Sequence, residues 1–400
     1  MKKRVLFVIN TMGQGGAETA LLALLKKIDY SRFRVSLFVL LGQGELLSRV
    51  PSEVHVLNRH YDSCDVQSAK GRVRLAGKVL SLGLSQGAFV RDAAYLGKNF
   101  LAMRQDGRVQ ADKLLWRVIA DGAPVTKDEY DLAVAFLEGA ASYYVADRVH
   151  AARKVCFVHV DTKAAGYTRE LDGDCYSRMD RIFCVSGEVR DSFLSRYPEY
   201  GERTAVFHNI LDTDYILSMQ KKDVRFPDEE SFEGFRILTC ARLVRQKELE
   251  ISIEAMRILR ERGTAVRWYV YGEGEERSFL EKKIREYDLT DAFFLPGRTE
   301  NPYPLYKKAD LYVHCSRYEG KSIAIQEAMF SGCAVIASDC SGNREQIESG
   351  KDGMLVAFDA AAIADAVEEL LRDPDRRRAF GAAAAKRDFS GGSMDQLLVS

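Results

Sequence analysis

The sequence predicts an α/β protein built as two successive doubly wound halves. Short apolar runs that read as buried strands recur at residues 5–9, 34–41, 53–57, 131–136, 154–159, 181–185 and 204–209, and again at 235–240, 265–272, 292–297, 311–315 and 334–338. Most are followed by a loop and then by a segment with apolar residues on one helical face, the alternation that builds a parallel sheet covered by helices. Between the two series, residues 212–233 are polar and irregular. The expected organisation is therefore a first domain over 1–210, a linker over 211–234 and a second domain over 235–385. A last segment, 386–400, is expected to pack back on the first domain. Two α/β halves of similar size imply a cleft, where small ligands usually bind.

Composition narrows the function. Lys plus Arg and Asp plus Glu both number 58 in 400 residues, so the neutral chain carries no general nucleic-acid footprint. The eight cysteines form no C-x-x-C pair, and several, such as Cys184, fall inside apolar runs. Buried reduced thiols in a cytoplasmic protein explain this better than disulfides or zinc. The basic-then-apolar start resembles a signal peptide, but its apolar run ends at Asn10 and a glycine loop follows, so it reads as the first strand. No uncharged run approaches the length of a membrane span.

The first strand leads into Asn10-Thr-Met-Gly-Gln-Gly-Gly16 and a helix over 17–28. Strand, glycine loop and helix open a doubly wound domain, whose ligands sit outside the carboxyl ends of the strands. This loop is not a dinucleotide fingerprint: Glu18 stands where a third glycine belongs, and no ribose-binding acid follows the second strand. From 65 to 117 the pattern turns helical and basic, with ten Lys and Arg against four Asp. A basic amphipathic insertion of this kind suits either an anionic membrane face or a solvated surface whose apolar side joins the core.

In the second half, Ala241-Arg-Leu-Val-Arg-Gln-Lys247 follows the first strand and places Arg242 and Lys247 at its carboxyl end. Two fixed cations there suit a diphosphate, or are simply solvated at a helix start. Tyr271-Gly-Glu-Gly274 and Leu295-Pro-Gly-Arg298 also end strands, and their glycines allow close approach to the backbone. Glu319-Gly-Lys-Ser-Ile-Ala-Ile-Gln-Glu327 reads as a tight loop entering a helix capped by Ser322, with a carboxylate at each end. A helix start of this kind is a natural anion seat.

The order Gly15-Gly16-Ala-Glu18, His159-Val-Asp161, Val185-Ser186, Asn209, Arg242 through Lys247, Gly272-Glu-Gly274, Glu319-x7-Glu327 and Gly332 resembles glycosyltransferase family 4 over nearly the whole chain, least between 60 and 125. The resemblance implies the GT-B fold, two Rossmann-like domains facing each other across a cleft. It also implies retaining transfer of a sugar from a nucleotide diphosphate sugar. On this resemblance Arg242 and Lys247 hold the donor diphosphate and steady the leaving group. Glu319 and the amides of Gly320, Lys321, Ser322 and Ile323 meet the sugar and phosphate, and Glu327 binds the ribose. Gly272, Glu273, Gly274 and Arg298 belong to the donor site, Gly15 and Gly16 bring the first domain's backbone against the diphosphate, and His159 lies beside the reacting sugar. Lys321 departs from the aromatic residue often found after the Glu-Gly pair, which bears on sugar selection.

The expected partners are a nucleotide-sugar donor, UDP-linked rather than GDP-linked, and a glycan or lipid-linked acceptor of the cell envelope. A peripheral contact with an anionic membrane would give the basic insertion a use. No cofactor or metal is expected. Asp172-Gly-Asp174, Asp212-Thr-Asp214 and Asp373-Pro-Asp375 match Asp-x-Asp, but none follows a strand in the right context. A UDP-sugar epimerase, a phosphorylase or a non-catalytic nucleotide-sugar-binding protein on the same fold are the alternatives, and an NAD-dependent oxidoreductase is disfavoured by the missing glycine.

Overall fold

The structure is a computed structural model that describes residues 2–105 and 109–399. Asp106 and Arg108, counted in the basic insertion, and the terminal Met1 and Ser400 lie outside the described residues. The chain divides into two compact units, 1–209 with 392–400, and 210–391.

The first unit holds a seven-stranded parallel sheet of β1 (Lys3–Ile9), β2 (Phe33–Val39), β3 (His55–Val56), β4 (Glu129–Ala135), β5 (His150–Val158), β6 (Arg181–Cys184) and β7 (Thr204–Val206), ordered β3-β2-β1-β4-β5-β6-β7. Its helices are α1 (Gly16–Lys26), α2 (Ala69–Ser85), α3 (Ala88–Arg91), α4 (Ala93–Gln105), α5 (Ala111–Gly122), α6 (Ala140–Arg148), α7 (Arg169–Asp172) and α8 (Gly187–Arg196). Strands buried on both faces need continuous apolar sequence, and residues 5–9 are indeed almost wholly inaccessible. The order reverses between β1 and β4, so their carboxyl ends diverge and leave a crevice there.

The second unit begins with α9 (Thr213–Met219) and carries a six-stranded parallel sheet of β8 (Phe235–Cys240), β9 (Val266–Tyr271), β10 (Phe293–Gly297), β11 (Leu311–His314), β12 (Val335–Ser338) and β13 (Met354–Val356), ordered β10-β9-β8-β11-β12-β13. Its other helices are α10 (Leu249–Glu261), α11 (Arg277–Glu286), α12 (Tyr303–Lys308), α13 (Ile323–Phe330), α14 (Ala360–Arg372) and α15 (Pro374–Ala384). Here the order reverses between β8 and β11.

The expected linker, 211–234, is instead folded into the second unit. Gln220 donates to Ser331 at 2.9 Å, Asn301 donates to the Met219 carbonyl at 2.9 Å, and the buried Phe226 ring packs 4.8 Å from that of Tyr269. Asp228 pairs with Arg267 and Arg236. A few anchoring side chains in polar sequence suffice to order it, and composition alone hides them. At the other end, α16 (Met394–Leu398) belongs to the first unit: Gly392 donates to the His208 carbonyl at 2.8 Å, and Leu397 and Leu398 are buried.

The eight cysteines are unpaired, and all but Cys64 and Cys240 are buried. Among the described residues no helix is long and apolar enough to cross a membrane.

Candidate functional site

The switch point of the second sheet gathers the site. Strand β8 ends at Cys240 and runs into the loop of Arg242 and Lys247, while β11 ends at His314 and runs into Ser316 and Glu319. The two loops are tied together: the Arg317 amide donates to the Gln246 carbonyl at 3.1 Å, and the Gln246 side chain donates to the Tyr318 carbonyl at 2.9 Å.

Glu319 is buried, and its Oε1 is the hub of the cluster. It pairs with Lys247 Nζ, accepts from Ser316 Oγ at 2.6 Å, and lies 2.9 Å from His314 Nε2. Burial pushes the Glu319 carboxyl up, but Lys247 and His314 outweigh it and hold the group well below the usual carboxylate range. His314, 1% exposed, is pushed the other way: burial lowers its basicity more than Glu319 restores it. A neutral ring that donates from Nε2 to Glu319 then accepts at Nδ1 from the Tyr312 hydroxyl, 3.1 Å away. The arrangement is a partly buried cation and an ionised carboxylate fixed by a hydrogen-bonded strand end. Arg242, on the same loop, is exposed and pairs with no described residue.

Glu327 sits apart from this cluster. It lies on α13, buried, with Oε1 accepting from Tyr303 at 3.0 Å and Oε2 from Tyr306 at 3.2 Å. The two carboxylates therefore have separate surroundings. Between them Ser322 caps α13, its hydroxyl accepting from the Ile325 amide at 3.5 Å. The helix starts at Ile323, whose side chain is buried, and Gly320 is buried in the loop. Lys321 is half-buried. Burial lowers its ammonium pKa, against the nearby Glu345 carboxylate.

The glycines after β9 also serve a packing need of the chain itself. A Cβ on Gly272 would stand 1.8 Å from the Ala241 carbonyl oxygen, and one on Gly274 would stand 2.2 Å from that of Leu243. The backbone that approaches so closely is the chain's own Arg242 loop, held also by the Leu243 amide donating to Glu273 O at 3.0 Å. The Glu273 side chain is taken up by Arg277, with contacts of 2.8 and 2.9 Å. Arg298 is half-buried just beyond β10.

In the first unit, Gly15 precedes α1 and Gly16 opens it. The loop is held by two carboxylates. Glu18 accepts from Thr11 at 3.2 Å, and Glu45 accepts from the Gln14 amide at 3.0 Å. A Cβ on Gly15 would fall 2.4 Å from Glu18 Oε2, the end of a flexible side chain that would have to shift to admit it. His159 follows β5, its ring 5.2 Å from that of Phe136, with a buried Nε2 that meets no described partner. Burial lowers its pKa to about 4. Its amide donates to Glu138 Oε2 at 2.8 Å, and burial raises the Glu138 carboxyl.

The sequence reading missed His314, Tyr312 and Ser316 as supports of Glu319. Their signal was a two-residue alternation of polar groups along an otherwise apolar strand, which puts all three on one face. It also missed Tyr303 and Tyr306. Two of the Asp-x-Asp matches begin with a helix cap, Asp212 on α9 and Asp373 on α15, and Asp172 is buried between Tyr143 and Tyr197. Among the described residues no group of three or more His, Cys, Asp or Glu is placed to hold a metal ion.

Comparison with known proteins agrees with this architecture. The poly(ribitol-phosphate) alpha-N-acetylglucosaminyltransferase of Staphylococcus aureus is 29% identical over 160 residues, 40% of this chain and 32% of that protein. The poly(glycerol-phosphate) alpha-glucosyltransferase of Bacillus subtilis is 26% identical over 223 residues, 55% of this chain and 32% of that protein. The chain thus spans about a third of the length of these curated relatives. The crystal structure of Anabaena Alr3699/HepE in complex with UDP superimposes with a TM-score of 0.63 at 18% identity, covering 96% of this chain and 94% of that one. The fold is of the GT-B class, with two Rossmann-like parallel-sheet units, and residues 220–387 match the family model of glycosyl transferases group 1.

Proposed function

We propose that the protein is a retaining glycosyltransferase of family 4 that moves a hexose or N-acetylhexosamine from a UDP-linked donor to a hydroxyl of a glycan or lipid-linked acceptor, in cytoplasmic synthesis of a cell-envelope polymer. The observation that carries this reading is at the switch point, where Lys247 is held on Glu319 and the exposed Arg242 stands on the same loop. Cations fixed where a diphosphate leaves stabilise the developing charge without reorganising, an effect worth several kcal/mol. In this reading Arg242 and Lys247 take the diphosphate, Glu319 with the backbone of 320–323 takes the sugar and adjoining phosphate, and Glu327 takes the ribose. The loops at Gly272–Gly274 and Arg298 border the donor. From the first unit, Gly15 and Gly16 contribute close backbone approach, and His159 stands by the reacting sugar. The acceptor oxygen attacks the anomeric carbon from the face the diphosphate is leaving, and a departing phosphate oxygen takes the proton. Configuration is retained and no metal takes part.

The relatives named as poly(ribitol-phosphate) alpha-N-acetylglucosaminyltransferase and poly(glycerol-phosphate) alpha-glucosyltransferase support a hexose or N-acetylhexosamine as the transferred sugar and a polymer as the acceptor. A thermal-shift screen of nucleotide sugars with and without EDTA tests the proposal, because a ligand at a hundredfold excess over its dissociation constant stabilises by about 2.7 kcal/mol. UDP-sugars should raise the melting temperature equally with and without EDTA, and transfer should give an axial or equatorial product matching the donor. No shift with any UDP- or GDP-sugar overturns the assignment, a shift abolished by EDTA overturns the metal-free step, and product formed from donor alone assigns an epimerase.

A further inference from the structure

Helix α2 carries two apolar stripes on opposite sides. At about 100° per residue, Leu75, Val79 and Leu82 form one stripe, and Val73, Ala76, Leu80 and Leu84 form another about 140° away around the helix. The first packs against the core of the first unit. The second points outward: Val73 is 73% exposed, Leu80 54% and Leu84 66%, and Val90 on the adjoining α3 is 84% exposed. Ser68 caps the helix and the inner stripe anchors it, so the outer stripe is not needed to hold α2 in place. Large apolar side chains clustered outward usually mark an interaction site.

The charge around this stripe is of one sign. Residues 69–105 carry seven basic side chains and a single acid, Asp92, which is buried. Lys70 flanks the outer stripe of α2 on one side and Arg72 flanks it on the other. Lys70, Lys98 and Arg104 are exposed and pair with no described residue. A second copy of the chain meeting this face about a two-fold axis would oppose basic residues to basic residues, which disfavours self-association.

We propose that the outer face of α2, extended by Val90 of α3, docks on an anionic lipid bilayer. The aliphatic side chains enter the boundary between headgroups and acyl chains, and the flanking cations meet the headgroup charge. A stripe of aliphatic groups with no directional polar partner suits a fluid surface, and cations on both edges suit the negative sign of that surface. The proposal rests on this face alone and not on the assignment of a transferred sugar.

Flotation of the full chain with phosphatidylcholine vesicles, with and without phosphatidylglycerol, tests it. The chain should float with the anionic vesicles and weakly with the neutral ones, and added salt should weaken binding. Leu80→Ser with Leu84→Ser should lower the partition coefficient by about tenfold or more, and Lys70→Glu with Lys98→Glu should do so by about tenfold on anionic vesicles alone. All four positions are exposed, so the melting temperature and its shift by UDP should not change. No flotation with anionic vesicles, or equal flotation of wild type and the serine variant, overturns the proposal. So does equal binding to neutral and anionic vesicles, and so does a concentration-dependent dimer that the serine variant abolishes without any vesicle binding.

Discussion

Glu319 Oε1 lies 2.9 Å from His314 Nε2, and His314 is the last residue of the strand that delivers the loop. The imidazole fixes the carboxylate while the Tyr312 hydroxyl fixes the imidazole, so side-chain orientation is passed from the sheet to the site. His314→Ala should lower kcat by about tenfold to hundredfold through misplacement of Glu319, with donor KM changed much less. Steady-state kinetics separate the two parameters, and an unchanged kcat would remove His314 as a positioning residue.

Lys247 bears on folding as well as on the site. Glu319 is depressed in the folded state, so it adds stability that is full above the ordinary glutamate pKa and is lost as pH falls through the folded value. Lys247→Met leaves a buried carboxylate without its cation, a loss of about 3–5 kcal/mol. Burial then dominates and the sign reverses, so the variant should lose stability as pH rises. Lys247→Met with Glu319→Gln should recover much of the stability and none of the turnover. Urea denaturation across pH reads the cycle.

Much of this was legible from sequence because it depends on local pattern. The strand runs, the loops after β8 and β11 and the Ser322 cap all lie within a few residues of their signals. What was not legible depends on packing between distant segments. The residues of 211–234 are ordered by Ser331, Asn301, Tyr269 and Arg267, all far along the chain, and the glycines at 272 and 274 answer to the carbonyls of Ala241 and Leu243. The tyrosines on Glu327 come from α12, some twenty residues upstream, and no spacing rule announces them.

Glu327 and Glu319 should fail in different ways. Tyr303 and Tyr306 orient Glu327 with a hydrogen bond to each oxygen, away from the Lys247 cluster. Glu327→Ala should weaken UDP binding with a smaller change in kcat, and Tyr303→Phe with Tyr306→Phe should weaken it about tenfold by freeing the carboxylate. Glu319→Ala should mainly reduce kcat. Calorimetric titration with UDP, set beside turnover, reads both; equal losses of UDP affinity with unchanged turnover would refute the division.

Gly274→Ala should disturb the site through the Arg242 loop. The added Cβ would stand 2.2 Å from the Leu243 carbonyl oxygen, which is backbone and cannot swing aside. The Arg242 loop must move or the β9 end must lift, at a cost of about 1–3 kcal/mol. Affinity for UDP should fall together with melting temperature, while Gly201→Ala, whose Cβ meets nothing within 4 Å, should change neither.

The half-buried His159 and the buried Asp172 of the first unit titrate in opposite senses. His159 has a folded pKa of about 4, below its ordinary 6.5, so the folded state takes up fewer protons between those values and stability falls as pH drops from 6.5 towards 4. Asp172 is raised by burial to about 6, although Tyr197 and Tyr143 donate to it at 2.5 and 2.9 Å, so its contribution falls as pH rises from 4 towards 6. Each shift corresponds to about 3 kcal/mol at most, and in wild type they largely cancel. His159→Phe removes one arm and also replaces the buried Nε2 that lacks a described partner with carbon. The variant should therefore be more stable than wild type near pH 5, and its stability should decline between pH 4 and 6. Asp172→Asn should leave the His159 slope exposed, with stability rising over the same interval. If the wild-type and His159→Phe urea profiles ran parallel from pH 4 to 6.5, His159 would not be held neutral by burial. Turnover supplies the complementary reading: a His159→Phe variant that gains stability but loses kcat has its histidine kept for the sugar and not for the fold.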